Sequence, residues 1–236
     1  MRKNNIIITP SIMCADLCNL ETSVQEIRRV GFKTLHIDMI DGHFSPSMPL
    51  GIDTVKQLRE ITDMNFDVHV MSENNIFFIK ELLNIGVQQI TFHIESSKHI
   101  DYCIKLIKNE GAKVGIALNP STSLSLLDYI LPQCDTILLM LINPGFATDK
   151  SEAQISYAQK KVEDLNKIIE SKNLNTNIQV DGRVSLDTLA TLSKAGANIF
   201  VAGSTSLFST GRTMQKNKII MENEISKGLS LKGDLY

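Results

Sequence analysis

The 236-residue chain has no tryptophan, only six prolines, and no apolar run that could span a bilayer. A membrane helix needs about 18 consecutive apolar residues, so no membrane partner is expected. Met1-Arg2-Lys3-Asn4-Asn5 leads into Ile6-Ile7-Ile8, which stops at once at Thr9-Pro10-Ser11. That stretch is too short for a secretory signal. Cys14, Cys18, Cys103 and Cys134 show no CxxC spacing, which suits reduced thiols in a cytoplasmic protein. A bias toward one charge sign is also missing. The formal net charge is −2 and the lysines are dispersed, so neither nucleic acid nor an anionic membrane surface is an expected partner.

What is present is ordinary globular composition, 43% hydrophobic and 21% charged, at a length that suits one domain. Short β-like runs at 6–13, 34–40, 65–71, 89–94, 113–119, 136–142, 177–181 and 199–203 alternate with segments of helical period. Leu17, Leu20, Val24 and Ile27 share one helical face, as do Ile155, Ala158, Val162, Leu165 and Ile169. Ser151 and Ser185 stand where helix N-caps belong, and Gly31, Gly86, Gly111 and Gly196 stand where left-handed C-caps precede strands. Eight alternating β and α units predict the α/β class and a (β/α)₈ TIM barrel, with an open doubly wound sheet as the alternative. One catalytic domain over 1–228 is expected, closed by a helix at 214–225, with a tail at 229–236.

In such a barrel the chemistry sits at the C-terminal strand ends. Leu35-His36-Ile37-Asp38-Met39 alternates so that His36 and Asp38 face inward and the apolar residues face the helices. The same parity turns Asp67, His69 and Met71 inward on the third strand, and the seventh ends in Asp181-Gly182. His36, Asp38, His69 and Asp181 therefore converge at the mouth. Two imidazoles and two carboxylates suit one divalent ion, Zn²⁺ first and Fe²⁺, Mn²⁺ or Co²⁺ as alternatives. An ion also gives buried carboxylates the partner they need. His93 and Glu95 share the inner face of the fourth strand and fit structural support, and His43 and His99 are assigned no chemistry.

Barrels of this kind often hold phosphate in the loops after strands seven and eight. Here those loops are Asp181-Gly182-Arg183-Val184-Ser185 and Ala202-Gly203-Ser204-Thr205-Ser206, and the sixth strand ends in Asn143-Pro144-Gly145-Phe146-Ala147. The glycines permit close backbone approach, while Ser204 and Arg183 bring donors.

On these residues the chain resembles the ribulose-phosphate 3-epimerases and the related allulose-6-phosphate 3-epimerases. The matching stretches run in order from Pro10-Ser11-Ile12-Met13 through His36-Ile37-Asp38, Asp41-Gly42-His43-Phe44, His69-Val70-Met71, Leu118-Asn119-Pro120, Asn143-Pro144-Gly145-Phe146 and Val180-Asp181-Gly182 to Ala202-Gly203-Ser204. The resemblance implies an ion held by His36, Asp38, His69 and Asp181, with Asp38 and Asp181 as acid and base on opposite faces of C3. It implies an enediolate whose charge the ion stabilises. It also implies substrate contacts at Ser11, His69, Met71 and Met140, a small-molecule ketose phosphate as partner, and a homo-oligomer.

Three departures from the family pattern surround the pair: Ile40 in place of a methionine, Ala147-Thr148-Asp149-Lys150 in place of a glycine- and glutamine-bearing loop, and Arg183 in place of a second glycine. D-Ribulose 5-phosphate is the expected substrate. Met13-Cys14-Ala15-Asp16 and Ser204-Thr205-Ser206-Leu207-Phe208 look more like the allulose-6-phosphate branch, so a ketohexose phosphate is the alternative. From other classes, a non-catalytic sugar-phosphate-binding barrel would lack a use for both aspartates. A decarboxylase of the orotidine-monophosphate type wants an inward lysine, absent from strands two and three.

Overall fold

The computed structural model describes residues 6–149 and 151–233, and in it eight strands form one parallel sheet in the order β1-β8-β7-β6-β5-β4-β3-β2. The strands are β1 (Ile7–Pro10), β2 (Thr34–Ile40), β3 (Asn65–Met71), β4 (Gln89–His93), β5 (Lys113–Leu118), β6 (Thr136–Met140), β7 (Asn177–Asp181) and β8 (Ile199–Ala202). The barrel closes between its end strands through a parallel bridge from Ser11 to His36. Around it run α1 (Leu20–Arg29), α2 (Ile52–Ile61), α3 (Asn75–Ile85), α4 (Ile100–Asn109), α5 (Ala158–Ser171), α6 (Leu189–Ala195) and α7 (Met214–Gly233). This is the expected TIM barrel.

Alternation along the strands explains why the sheet curls as it does. Leu35, Ile37, Met39, Phe66, Val68, Val70, Ile90 and Phe92 are essentially fully buried in one core with Val24, Ile27, Val55, Leu58, Ile79 and Leu82 of the helices. Burying each such side chain stabilises the fold by roughly 1.5–3 kcal/mol, so this outer interface holds the staves in place. The inner face is different. Thr9, His36, Asp38, Asp67, His69, Gln89, Thr91, His93, Thr136 and Gln179 are buried there, leaving Ala117, Leu138 and Met140 as a small apolar patch of their own. Polar groups so placed must find partners, because each one left unpaired costs roughly 1–3 kcal/mol.

Gly31, Gly86, Gly111 and Gly196 all have positive φ at the helix-to-strand joints, as the sequence predicts. Four expectations shift. Between β5 and β6, where the alternation predicts a helix, the described residues form only short 3₁₀ turns at Leu124–Leu127 and Leu131–Gln133. Pro120 and Pro132 interrupt that connection, and proline removes a helix donor. α5 begins at Ala158 rather than after Ser151, because the Glu152 carboxylate is used by Asn143, accepting from its N–H at 2.7 Å and from Nδ2 at 2.9 Å. α6 begins at Leu189, since Ser185 N–H donates to Thr188 Oγ1 at 3.1 Å and closes a turn first.

α7 runs past residue 225 to Gly233, so described residues 229–233, expected as tail, are helical. Gly228 lets it lie on α6: a Cβ there would sit 2.2 Å from Ala190 O. Met1–Asn5, Lys150 and 234–236 lie outside the described residues, and with them one residue of the departing loop and the end of the expected tail. Among the described residues no helix is long and apolar enough to cross a membrane.

Candidate active site

Register brings the expected ligands together. Asp38 on β2 pairs with His69 on β3, and Asp181 ends β7. His36 Nε2 lies 3.3 Å from Asp38 Oδ1 and 3.6 Å from Asp181 Oδ2, while His69 Nδ1 lies 3.4 Å and 3.7 Å from the same oxygens. One donor atom from each residue falls within 4.8 Å of all the others. Bonds of about 2.0–2.2 Å to a tetrahedral ion imply donor separations of about 3.3–3.6 Å. The two imidazole atoms that face this point, His36 Nε2 and His69 Nδ1, are buried with no hydrogen-bond partner. Buried polar atoms without partners are rare enough to call for a reason, and a shared cation supplies one. The donor set therefore fits a divalent ion.

The charges say the same. Burial would lower the pKa of His36, but the negative charges of Asp38 and Asp67, with the carboxylate of Asp181 close by, raise it well above its ordinary value. His69 behaves alike: burial opposes its proton, and Asp181 and Asp38 together favour it. Burial works against ionised Asp38 and Asp181 too, yet the two imidazoles hold both carboxyls below the usual range, with mutual repulsion opposing this at Asp181. The point between the four groups thus attracts positive charge.

Each imidazole is oriented from behind. His36 Nδ1 lies 2.9 Å from Asp67 Oδ2, and Asp67 accepts from Gln89 Nε2 at 2.8 Å and Gln179 Nε2 at 2.6 Å. Thr136 Oγ1 donates to Gln89 Oε1 at 3.1 Å, fixing that amide. His69 Nε2 lies 2.9 Å from His93 Nε2, and His93 Nδ1 lies 3.1 Å from Glu95 Oε2. Burial pushes the His93 pKa down to about 4, so that ring is neutral. Its single proton then sits on Nδ1 toward Glu95, and His69 donates from Nε2, which leaves His69 Nδ1 a lone pair for the ion. Glu95 is held at about 2 despite burial by His93, Thr122 and the Asn119 N–H. Asp67, Gln89 and Gln179 were not singled out as functional from sequence. Their signal is positional, since Asp67 and Gln179 each stand two residues before a ligand on the same strand face.

A cavity of about 80 Å³ opens at this mouth, lined by Ser11, Asp38, Met71, Met140, Gly145, Ala147, Asp181, Gly182, Arg183, Gly203 and Ser204, all expected, and by Met13, Cys14, Ile40 and Thr205 among others. Phe146 does not line it and is 40% exposed; His69 is fully buried behind it. A larger cavity of about 480 Å³ lies at the opposite end of the strands, around Thr34, Asn65 and Lys113, away from every ligand. Volume alone is the poorer guide here, because the converging donors are at the smaller one. Ser11 Oγ donates to Asp38 Oδ2 at 3.0 Å, leaving Oδ1 for the imidazoles. Burial and neighbouring Asp38 push the Cys14 thiol up to about 11, so it lines the wall as a neutral group. Gly182 cannot be replaced there without movement: its φ is +104° and a Cβ would meet Ile142 Cγ1 at 2.6 Å.

Comparison with known proteins agrees with this geometry. Solved structures of similar fold include KGPDC from Streptococcus mutans (TM-score 0.67, 13% identity, 94% of this chain and 99% of that one) and thiamine phosphate pyrophosphorylase from Pyrococcus furiosus (0.62, 14%, 96% and 98%). At such identities they speak for the barrel only. In sequence, the chain is 36% identical over 202 residues to the ribulose-phosphate 3-epimerase of Buchnera aphidicola subsp. Acyrthosiphon pisum, covering 85% of this chain and 87% of that protein. It is 36% identical over 204 residues to the chloroplastic ribulose-5-phosphate-3-epimerase of Arabidopsis thaliana (86% and 72%), and 34% over 200 residues to the ribulose-phosphate 3-epimerase of Bacillus subtilis (84% and 91%). Residues 7–208 match the ribulose-phosphate 3-epimerase family, and this chain, with its barrel and four converging metal-capable side chains, belongs to it.

Proposed function

We propose that the chain interconverts D-ribulose 5-phosphate and D-xylulose 5-phosphate, with Asp38 and Asp181 carrying the C3 proton. The observation that supports this most is the pair itself. Two carboxylates reach one point from β2 and β7, and both line the same cavity. Inversion at a carbon needs one group to remove its proton and another to return it from the opposite face. Asp38, 5% exposed and fixed by Ser11, is the more rigid partner, while Asp181 is 17% exposed. One of them, as the carboxylate, accepts the C3 proton at an oxygen, and the other, entering the cycle as the protonated acid, delivers its proton to the opposite face; the roles exchange in the reverse direction. When bound by His36, Asp38, His69 and Asp181, a divalent ion supplies the positive charge that makes a carbonyl-adjacent proton removable. Zn²⁺ suits two nitrogens and two oxygens, and Fe²⁺, Mn²⁺ and Co²⁺ accept the same donors. Met71 and Met140 give the cavity apolar walls that limit water, and Gly145, Ala147, Gly182, Arg183, Gly203 and Ser204 form the end suited to the phosphoryl group.

One observation favours a second substrate. Cys14, which resembles the allulose-6-phosphate branch, lines the cavity. Metal-loaded protein incubated in D₂O with D-ribulose 5-phosphate and, separately, D-allulose 6-phosphate tests both. Deuterium at C3 of the pentulose phosphate with appearance of its epimer is the expected result. Faster exchange in the hexulose phosphate would move the assignment to that sugar. Exchange in neither would end the epimerase reading and leave a sugar-phosphate-binding barrel. The same proposal places the enzyme in the cytoplasm, consistent with four free thiols, and as a homo-oligomer by family resemblance, which light scattering would test.

A further inference from the structure

We propose that Arg183 reads the charge of the substrate's phosphoryl group and couples its binding to the loop after β6; this rests on the ketose-phosphate reading above. Among the described residues Arg183 is the only lysine, arginine or histidine lining the mouth cavity, whose walls also carry Asp38 and Asp181. The ion proposed between the two carboxylates offsets their charge, but the end of the cavity away from it has no other cationic side chain among the described residues to meet a phosphate dianion. The neighbouring donors, Gly203, Ser204 and Thr205, are all neutral.

The backbone at this residue is unusual. Arg183 has a φ of +48°, a left-handed conformation that side-chain-bearing residues rarely adopt. Such a conformation persists only where its surroundings fix it, and it is a recurrent mark of functional sites. The side chain shows what is fixed. Nη2 donates to Asp149 O at 2.6 Å and to Ala147 O at 3.3 Å, strapping the loop after β6 to the loop after β7. From the other side Gln154 Nε2 reaches Gly182 O and Arg183 O, both at 3.4 Å. Arg183 Nε is buried and has no hydrogen-bond partner. A guanidinium offers five N–H donors in a planar fork, so one edge can hold the loop while another meets an anion. The buried Nε is a donor left without a partner, on a residue that lines the cavity where the phosphoryl group belongs. One side chain therefore links the anion to the loop that covers it.

The test uses Arg183→Gly and Arg183→Lys in the full, metal-loaded chain. Glycine adopts this φ without strain, so the first variant is expected to fold. With inorganic phosphate as probe, competitive inhibition and direct calorimetry on the wild type should show binding. A charge-assisted hydrogen bond lost from such a site corresponds to roughly 10-fold or more in affinity. Arg183→Gly should therefore raise both the phosphate dissociation constant and the KM for the ketose phosphate by about that factor, with kcat changed far less. Amide exchange in residues 145–149 should slow when phosphate binds the wild type and not when it binds Arg183→Gly. Arg183→Lys should recover part of the phosphate affinity without the slowed exchange, since lysine keeps the charge and loses the fork.

Unchanged phosphate affinity in Arg183→Gly, or no phosphate binding by the wild type, would overturn the proposal. So would loop exchange that ignores phosphate in the wild type. If phosphate binding proves Arg183-dependent while no ketose phosphate exchanges at C3, the inference stands and the epimerase reading is what fails.

Discussion

His36 and His69 face the same two carboxylates at nearly the same distances, yet they are supported in opposite ways. Behind His36 stands a full negative charge at 2.9 Å, the Asp67 carboxylate, gripped by two glutamine amides inside the barrel. Behind His69 stands a neutral ring, His93, and only beyond it the carboxylate of Glu95. That second arm is also longer. Glu95 accepts from the Asn119 N–H, and the carbonyls of Asn119 and Pro120 are held at 2.8 Å by the buried ammonium of Lys161 on α5. A nearby anion strengthens an imidazole as a ligand more than a neutral partner does, so His36 should be the tighter and His69 the more compliant ligand.

The sharpest test removes the groups both arms share. Asp38→Asn and Asp181→Asn should each lower C3 exchange by about 10²–10⁴-fold with the barrel intact by circular dichroism. Near-normal exchange in either would show that the imidazoles converge on something other than a proton-transfer pair. Next come the supports. Outer partners of metal-bound histidines are typically worth about 10–100-fold in ion affinity. Asp67→Asn should sit near the top of that range and Glu95→Gln near the bottom, read by competition with a chromophoric chelator. Equal losses would erase the proposed difference between the arms.

The pH dependence gives a smaller effect of definite sign. In chelator-treated protein the raised pKa values of His36 and His69 contribute stability below about 6.5, the ordinary histidine value, and that contribution is lost as pH rises through the folded-state values. Ion binding must displace those protons, so proton uptake by the buffer should accompany loading near neutral pH, and apparent ion affinity should rise with pH. Calorimetry in buffers of different ionisation enthalpy measures the proton number; a value of zero would contradict the charge balance described. The least effect is expected at His93, whose pKa near 4 makes its neutral form contribute stability above 6.5 that fades as pH falls toward 4. His93→Gln should flatten that acid limb of the melting curve and leave the alkaline one unchanged.

How much of this was legible in the sequence depended on whether a residue's environment was local. The strands at 34–40, 65–71 and 177–181 match to the residue, because each alternates polar and apolar side chains between a helix-covered face and a bore. The same alternation turned His36, Asp38, His69 and Asp181 toward one point. What alternation cannot supply is the partner of a side chain across the barrel. Glu152 stands in the first turn that a Ser151 cap predicts, yet its carboxylate is taken by Asn143, and Gln179 draws no reading at all because its partner, Asp67, lies 112 positions away. Arg183 was visible as a departure, but its strap to Ala147 and Asp149 depended on the path of another loop.

The candidate ligands come from β2, β3 and β7, and that choice of staves has a mechanical consequence. Between β7 and β2 the wall is thin: β7 and β8 share two paired positions, and β1 meets β2 at the Ser11–His36 bridge. An ion held by Asp181, His36 and Asp38 would span that arc directly, as a clasp spans the gap in a bracelet. Loading should then slow the opening of β1 and β8, two strands that contribute no ligand, and their amides should gain exchange protection out of proportion to their distance from the ion.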